Sequence, residues 1–297
     1  MNEGTRCFDN GEQLVQCVPN FSEGRDLSIL KRIASSILRS DVRLVDWSAD
    51  TDHNRSVFTF IGSPIAVMEA AVFAAQQAVS DIDLRNHTGV HPRLGSLDVL
   101  PFVPLRNIGI EEVALLARAT GELLAEKLSL PVFFYDMASD RRTTLPEVRK
   151  IAFLTEVPDR GPTTSHLSAG SVAVGARGPL IAFNVNLADG SLLLAKSLAT
   201  QVRSHFNGSV RALGLELPSR KLYQVSTNII RPEEVTMLDV YEFVSARARV
   251  LESELIGAMP GYAAFAIVKQ AVLLRTALPE QVLLETWPTT VNSADTG

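Results

Sequence analysis

The sequence predicts an α+β fold in two subdomains, each with the element order β-α-β-β-α-β. Three observations lead there. Hydrophobic residues make up 46% of the 297 residues and charged residues 21%, which supplies a sizeable core and exceeds what a disordered chain carries. Segments of strand period and helix period alternate twice along the chain. Between the two series, residues 140–171 hold Pro146, Pro158, Gly161, Pro162 and Gly170 with no sustained period. That stretch reads as a long irregular connection, of the kind that serves as a lid, binding loop or linker.

Residues 14–18 read as the first strand, stopped by Pro19, and residues 20–24 as a turn. Ser22 or Asp26 caps a helix over 27–39, where Leu27, Leu30, Ile33, Ile37 and Leu38 recur at helical spacing. Residues 42–46 and 57–61 are strands around a polar loop at 48–55. Pro64 opens an alanine-rich helix that runs to Ala78. A strand at 97–103, a helix at 110–128 and a short apolar strand at 132–135 follow. The second series starts with a strand at 180–186 and a helix at 192–205. Strands at 210–217 and 223–230 flank the turn Pro218-Ser219-Arg220, and a helix at 232–249 leads to a strand at 251–256. A last helix covers 262–276, and residues after 288 read as a tail. This is the split-βαβ, ferredoxin-like order, with mixed or antiparallel sheets and helices packed on one face. The expected subdomains are residues 1–171 and 172–297.

Charge and cysteine content narrow the function. The 28 Lys+Arg are dispersed among 33 Asp+Glu for a net charge of -5, whereas a nucleic-acid binder needs a basic stripe to displace counterions. No apolar run reaches the ~20 residues that cross a bilayer, and the polar first twelve residues lack a signal peptide's apolar core. Cys7 and Cys17 are too few for a disulfide framework or a cysteine-rich zinc site. A cytoplasmic protein that binds neither nucleic acid nor membrane is expected.

Polar residues concentrate in three places. Asp50-Thr51-Asp52-His53-Asn54-Arg55 sets two carboxylates, an imidazole, an amide and a guanidinium between two strands. It is either a solvated hairpin or, with Arg55 held rigidly by the strand after it, a carboxylate-binding fork. Residues 83–95 hold His87, His91, Arg85 and Arg93. The four-residue histidine spacing matches two zinc ligands on a helix, but Gly89 and Pro92 oppose a helix there. A general base flanked by anion-binding arginines and a histidine hydrogen-bonded in a turn both fit. The third place joins residues 161–170 to Gly175-Ala176-Arg177-Gly178. Neither a Rossmann fingerprint nor a phosphate loop is present, and a loop over a flat heterocycle fits as well as a phosphate cradle. Asn184 and Asn186 alternate with apolar residues on the next strand, as ligand-binding amides or as a polar outer face.

These stretches resemble a known family. Residues 16–25 (QCVPNFSEGR) look like the opening signature of the glutamate formimidoyltransferases, which include the formiminotransferase domain of formiminotransferase-cyclodeaminase. Residues 52–60 (DHNRSVFTF), 82–104 (IDLRNHTGVHPRLGSLDVLPFVP), 175–187 (GARGPLIAFNVNL) and 224–228 (QVSTN) are similar to the later motifs, in order. The resemblance runs from about residue 13 to 260.

The resemblance implies two ferredoxin-like subdomains, a homodimer, and transfer of the formimidoyl group from N-formimidoyl-L-glutamate to N5 of tetrahydrofolate in histidine degradation. Tetrahydrofolate would be a co-substrate, and no metal would be required. The family's catalytic histidine is matched by His91. Its folate-binding segment is matched by Gly161, Pro162, Thr163, Thr164, Ser165 and His166 through Gly170. From charge and motif position, Asp52, Asn54, Arg55, Arg93, Arg177, Asn184 and Asn186 join the candidate binding residues. The three arginines would take carboxylates, and Asp50 or Asp52 would orient the cationic amidine. Residues 145–161 differ from the family pattern, being several residues shorter and lacking an acidic-aromatic run, and Leu167 stands where many bacterial members have proline. Two alternatives stand beside this reading. One is a diverged paralogue acting on another folate or amidine, and the other is a catalytically silent folate-binding dimer.

Overall fold

The structure, a computed structural model, describes residues 11–271. Two sheets account for the strands among them. The first carries β1 (Leu14–Cys17), β2 (Asn20–Phe21), β3 (Val42–Asp50), β4 (Arg55–Gly62), β5 (Leu97–Arg106), β6 (Val132–Asp136) and β7 (Val172–Ala176). The interrupted strand β1/β2, broken at Pro19, lies between β4 and β5, and β3 pairs with β4. These pairings are antiparallel. β7 and then β6 extend the far edge in parallel with β5.

Helices α1 (Leu27–Ile37), α2 (Pro64–Asp81) and α3 (Ile110–Leu128) pack on one face of this sheet. Asp26 caps α1, accepting from the Ser28 amide at 2.8 Å. The alanines of α2 (Ala70, Ala71, Ala74, Ala75 and Ala78) are buried between α1 and α3, where small side chains allow close approach. Cys17 is fully buried in this core, and burial pushes its thiol well up, away from nucleophilic use. Cys7 lies outside the described residues.

The second sheet contains β8 (Ile181–Leu187), β9 (Val210–Leu217), β10 (Leu222–Ile229) and β11 (Val250–Ile256), in the antiparallel order β11-β8-β10-β9. Helices α5 (Leu192–His205) and α6 (Met237–Ser245) cover the face formed by Ile181, Phe183, Val185 and Leu187. The alternate residues of β8, Asn184 and Asn186, point to the other face. There the two halves meet. Asp52 accepts from Ser219 in the β9–β10 turn, and Gly257 lies against Thr59 of β4. The outer faces of the two sheets, turned away from these helices, therefore oppose each other across a cleft, and on the first sheet that face also carries the apolar cluster of Val99, Phe133, Tyr135 and Ala173.

The α+β class and most elements match the sequence reading. Residues 20–21, expected in a turn, form β2, and four further details differ. The β3–β4 strands reach Asp50 and restart at Arg55, because the hairpin turn needs only residues 51–54. The irregular connection contains a short helix, α4 (Leu145–Ile151), started by a capping box in which the Thr144 amide donates to Glu147 at 2.7 Å. Its one buried residue, Val148, leaves no readable period. Helix α6 begins at Met237 rather than Pro232, because Thr236 and Asp239 cap it reciprocally. Residues 172–176, expected beyond the boundary at 171, form β7 in the first sheet, since their apolar run fills the slot between β5 and β6. We propose a subdomain boundary between Ala176 and Ile181. The last helix, α7, is described over Gly261–Ala271; its expected continuation and the tail fall outside the described residues. Among the described residues, no helix is long and apolar enough to cross a membrane.

Candidate active site

Three loops from one end of the first sheet build the site: residues 20–26, the β3–β4 turn at 51–54, and the α2–β5 connection at 82–96. Asn54 ties them together. Its backbone is left-handed at φ 47°, which asparagine tolerates. Its Oδ1 accepts from the Gly24 amide at 2.9 Å, and its Nδ2 donates to the Thr88 carbonyl at 2.9 Å. Glycine is needed at both contact points. A Cβ on Gly24 would overlap the Asp50 carbonyl, and one on Gly89 would overlap that of His53. Asn54, expected to bind substrate, thus has its amide engaged by backbone.

Behind these loops sits a buried charge cluster. Asp98 on β5 is fully buried and accepts from Arg55 Nη1 at 2.5 Å, Arg149 Nη2 at 2.6 Å and the Leu94 amide at 2.5 Å. Burial pushes the Asp98 carboxyl up, but the two guanidiniums outweigh it and hold it at about 2. Arg55 also donates to Asn20 Oδ1 from Nε at 3.2 Å and Nη2 at 3.0 Å. One carboxylate between two guanidiniums leaves a net positive charge at this wall.

His91 stands against that charge. Its Nδ1 donates to the Pro92 carbonyl at 2.7 Å, and Arg149 Nη1 donates to the same oxygen at 2.6 Å. This tautomer leaves Nε2 with its lone pair, as a base requires. Burial, then Arg55 and Arg149, push the imidazole down to about 3, so His91 is neutral at physiological pH. The His53 ring lies 5.8 Å from it, centroid to centroid. His87 Nε2 is 3.2 Å from both the Asn54 carbonyl and Arg93 Nη1. His87 and His91 thus face different partners, and among the described residues no three His, Cys, Asp or Glu side chains gather as a metal site.

The other expected residues divide. Arg93 Nη2 donates to the Gly89 and His91 carbonyls at 2.9 Å, so it braces the loop that carries His91. The Asp52 carboxylate accepts from the Ser219 amide and hydroxyl, at 3.1 and 2.6 Å. Asp50 Oδ1 accepts from the His53 amide at 2.7 Å. Both aspartates are therefore occupied by turns. Arg177 Nη1 donates to the Gly178 carbonyl at 2.9 Å, and its charge acts on Tyr135 and Asp136 at the far end of β6, where Arg211 of β9 also exerts its charge. In the 161–170 segment, His166 and Gly170 exchange backbone bonds at 2.9 and 3.0 Å, and Ser168 receives the Leu84 amide at 2.8 Å. This half of the segment braces residues 84–96. Thr163, Thr164 and Ser165 are exposed and line a groove of about 460 Å³ with residues 153–157.

Asn184 and Asn186 face the cleft with residues that sequence reasoning missed. Asn186 donates to Glu252 and Glu254 at 3.1 and 3.0 Å, and Gln224 donates to Asn186 at 2.9 Å. Glu252 and Glu254 alternate on one strand, a signal for a shared face. Asp98 was equally visible as a lone carboxylate in the apolar run 97–103, where burial demands a cationic partner. Arg149 had no such signal, because only the chain path of α4 brings it to Asp98.

An α+β fold with a neutral imidazole in a cleft, between a cationic wall and an amide-carboxylate wall, defines a class of site suited to small molecules that carry both carboxylates and a cationic group. Comparison with known proteins gives the family. The profile of the "Formiminotransferase domain, N-terminal subdomain" matches residues 14–177. A glutamate formimidoyltransferase of Streptococcus pyogenes serotype M1 is 36% identical over 270 residues, 84% of this chain and 90% of that protein. One from Thermoplasma acidophilum is 36% identical over 277 residues, 86% and 91% respectively. The formimidoyltransferase-cyclodeaminase of Rattus norvegicus is 38% identical over 273 residues, 84% of this chain but 50% of that protein. The chain belongs to the formiminotransferase domain family.

Proposed function

We propose that the protein transfers the formimidoyl group of N-formimidoyl-L-glutamate to N5 of tetrahydrofolate, releasing glutamate and 5-formimidoyltetrahydrofolate, a step of histidine degradation. The observation that carries this reading is the imidazole of His91, fixed by its Pro92 bond with Nε2 free as a base beside Arg55 and Arg149. N5 attacks the formimidoyl carbon and loses its proton to His91. The imidazolium then delivers that proton to the departing glutamate nitrogen. Burial, and after it the two arginines, hold the His91 imidazole low. Substrate carboxylates arriving in the cleft offset those charges and raise the imidazole toward the value a base needs.

The family names of the relatives support this donor and acceptor. The exposed Thr163, Thr164 and Ser165 of the groove, with Gly161, Pro162 and the His166–Gly170 turn, are the proposed folate contacts. Arg55, Arg93 and Arg177 are the proposed contacts or supports for carboxylates. A homodimer in the cytoplasm, with small-molecule substrates as its ligands, completes the proposal, and sedimentation of the purified protein tests the dimer. Single turnover with formimidoylglutamate and tetrahydrofolate tests the chemistry. His91→Ala is expected to lower the rate by about 10²–10⁴-fold, and a rate within a few-fold of wild type would overturn the assignment.

A further inference from the structure

The cleft-facing side of the second sheet carries a polar cluster whose chemistry the loops of the first half do not supply. The strand register makes it: Asn186 lies opposite Gln224 and Glu252, and Asn184 opposite Glu254. Gln224 is fully buried. Its Nε2 donates to Asn186 and, at 3.4 Å, to Glu254, while its Oε1 is buried without a partner. An unpaired buried acceptor is costly unless something donates to it. Across the two carboxylates lies the Arg220 guanidinium, bonded to Glu254 at 2.6 Å and to Glu252. Burial raises the Glu254 carboxyl, but the bonds from Arg220 and Asn186 outweigh it and hold it below its usual value. Two carboxylates beside one cation leave the cluster with a net negative charge.

A guanidinium is planar, delocalised and edged with parallel N–H donors. An amidinium has the same plane, charge and donor edge. Glu254 is also near enough to His53 to act on it electrostatically, and the His53 and His91 rings are 5.8 Å apart, centroid to centroid. We propose that the Glu252–Glu254 edge, with Gln224 Oε1, is the subsite for the cationic amidinium of the donor, and that Arg220 occupies it until the donor arrives. This rests on the transferase reading above. During transfer the N5–C bond forms and the bond from that carbon to the glutamate nitrogen breaks. The N5 proton passes through His91 to the leaving nitrogen. The amidinium nitrogen held by Glu254 stays on the transferred carbon throughout, so the subsite holds the one-carbon unit while its partner changes. Asp50 and Asp52, expected to orient the amidine, are bonded to the His53 amide and to Ser219 of the second half.

Formamidinium chloride is the probe. It is expected to bind the wild-type protein by calorimetry and to compete with formimidoylglutamate. Glu254→Gln, which keeps shape and removes charge, should weaken formamidinium and raise the KM of the donor by at least about tenfold. Arg220→Ala removes the competing cation and should tighten formamidinium and lower the donor KM, whereas loss of a merely structural ion pair would weaken both. Thermal melts of both variants check folding. Formamidinium binding and donor KM within about twofold of wild type in Glu254→Gln, or weaker donor binding in a folded Arg220→Ala, overturns the proposal. The calorimetric arm needs no turnover, so a protein that binds formamidinium through Glu254 but transfers nothing refutes the transferase reading and leaves the subsite standing.

Discussion

The two walls of the cleft treat charge differently. In the first half, Asp98 is 0% exposed and its partners Arg55 and Arg149 are 10% and 17% exposed. In the second, Arg220 is 36% exposed and its partners Glu252 and Glu254 are 47% and 28%. Buried ions must keep their partners, because an isolated charge in the interior is costly. Half-exposed ions are stabilised by water and exchange partners at low cost. The first wall is therefore a fixed frame that positions His91, and the second is a surface on which one cation can replace another. Both walls come from the same β-α-β-β-α-β order. The difference arises from what was added to it, since α4 brings Arg149 onto Asp98 and, among the described residues, no comparable helix covers Glu252.

The comparison breaks most readily at Asp98. Asp98→Asn leaves two buried guanidiniums without a counter-charge, and it is expected to cost about 3–5 kcal/mol of unfolding free energy. Urea denaturation checks this, and a loss comparable to that of an exposed pair would erase the contrast between the walls. A smaller effect is expected at Arg149. In the proposed mechanism His91 works in its neutral form, and its value of about 3 places the expected acid limb of the free enzyme's kcat/KM far below neutrality. Arg149→Met removes a cation that disfavours imidazolium, so the His91 pKa rises and the acid limb moves toward neutral pH. The pH profile of kcat/KM reads this directly; an unmoved limb would mean that Arg149 does not act on the base. The smallest effect belongs to the contact between the halves. Asp52→Asn weakens the bonds to Ser219 and should cost about 1 kcal/mol or less, again read by urea denaturation. A larger loss would mean that the walls are held as one rigid frame.

Much of this architecture was legible in the chain. Helix α3 matches its expected span because its apolar period is long, and the αβ order followed from periods of two and 3.6. The short pieces were not legible. α4 has two turns and one buried residue, and β7 is an apolar run whose parallel partners lie far away in sequence. At the site, the family motifs and the crowding of histidine and arginine pointed to His91, Arg55 and Arg93. They did not distinguish residues facing the cleft from residues holding the loops. Asn54 and Arg93 belong to the second group because their polar groups are met by backbone carbonyls and amides.

The sequence by itself determined the fold class, the family and the histidine that carries the proposed chemistry. Those depend on local periodicity and on motifs contiguous in the chain. Only the tertiary structure decided which charges are paired. Asp98 meets Arg55 and Arg149 across 43 and 51 residues, and Asp52 meets Ser219 across 167. Pairing of this kind depends on burial and on sheet register, neither of which a linear spacing encodes. The same pairing is why the proposed amidine contact is placed on the glutamates of the second half and not on the aspartates of the first.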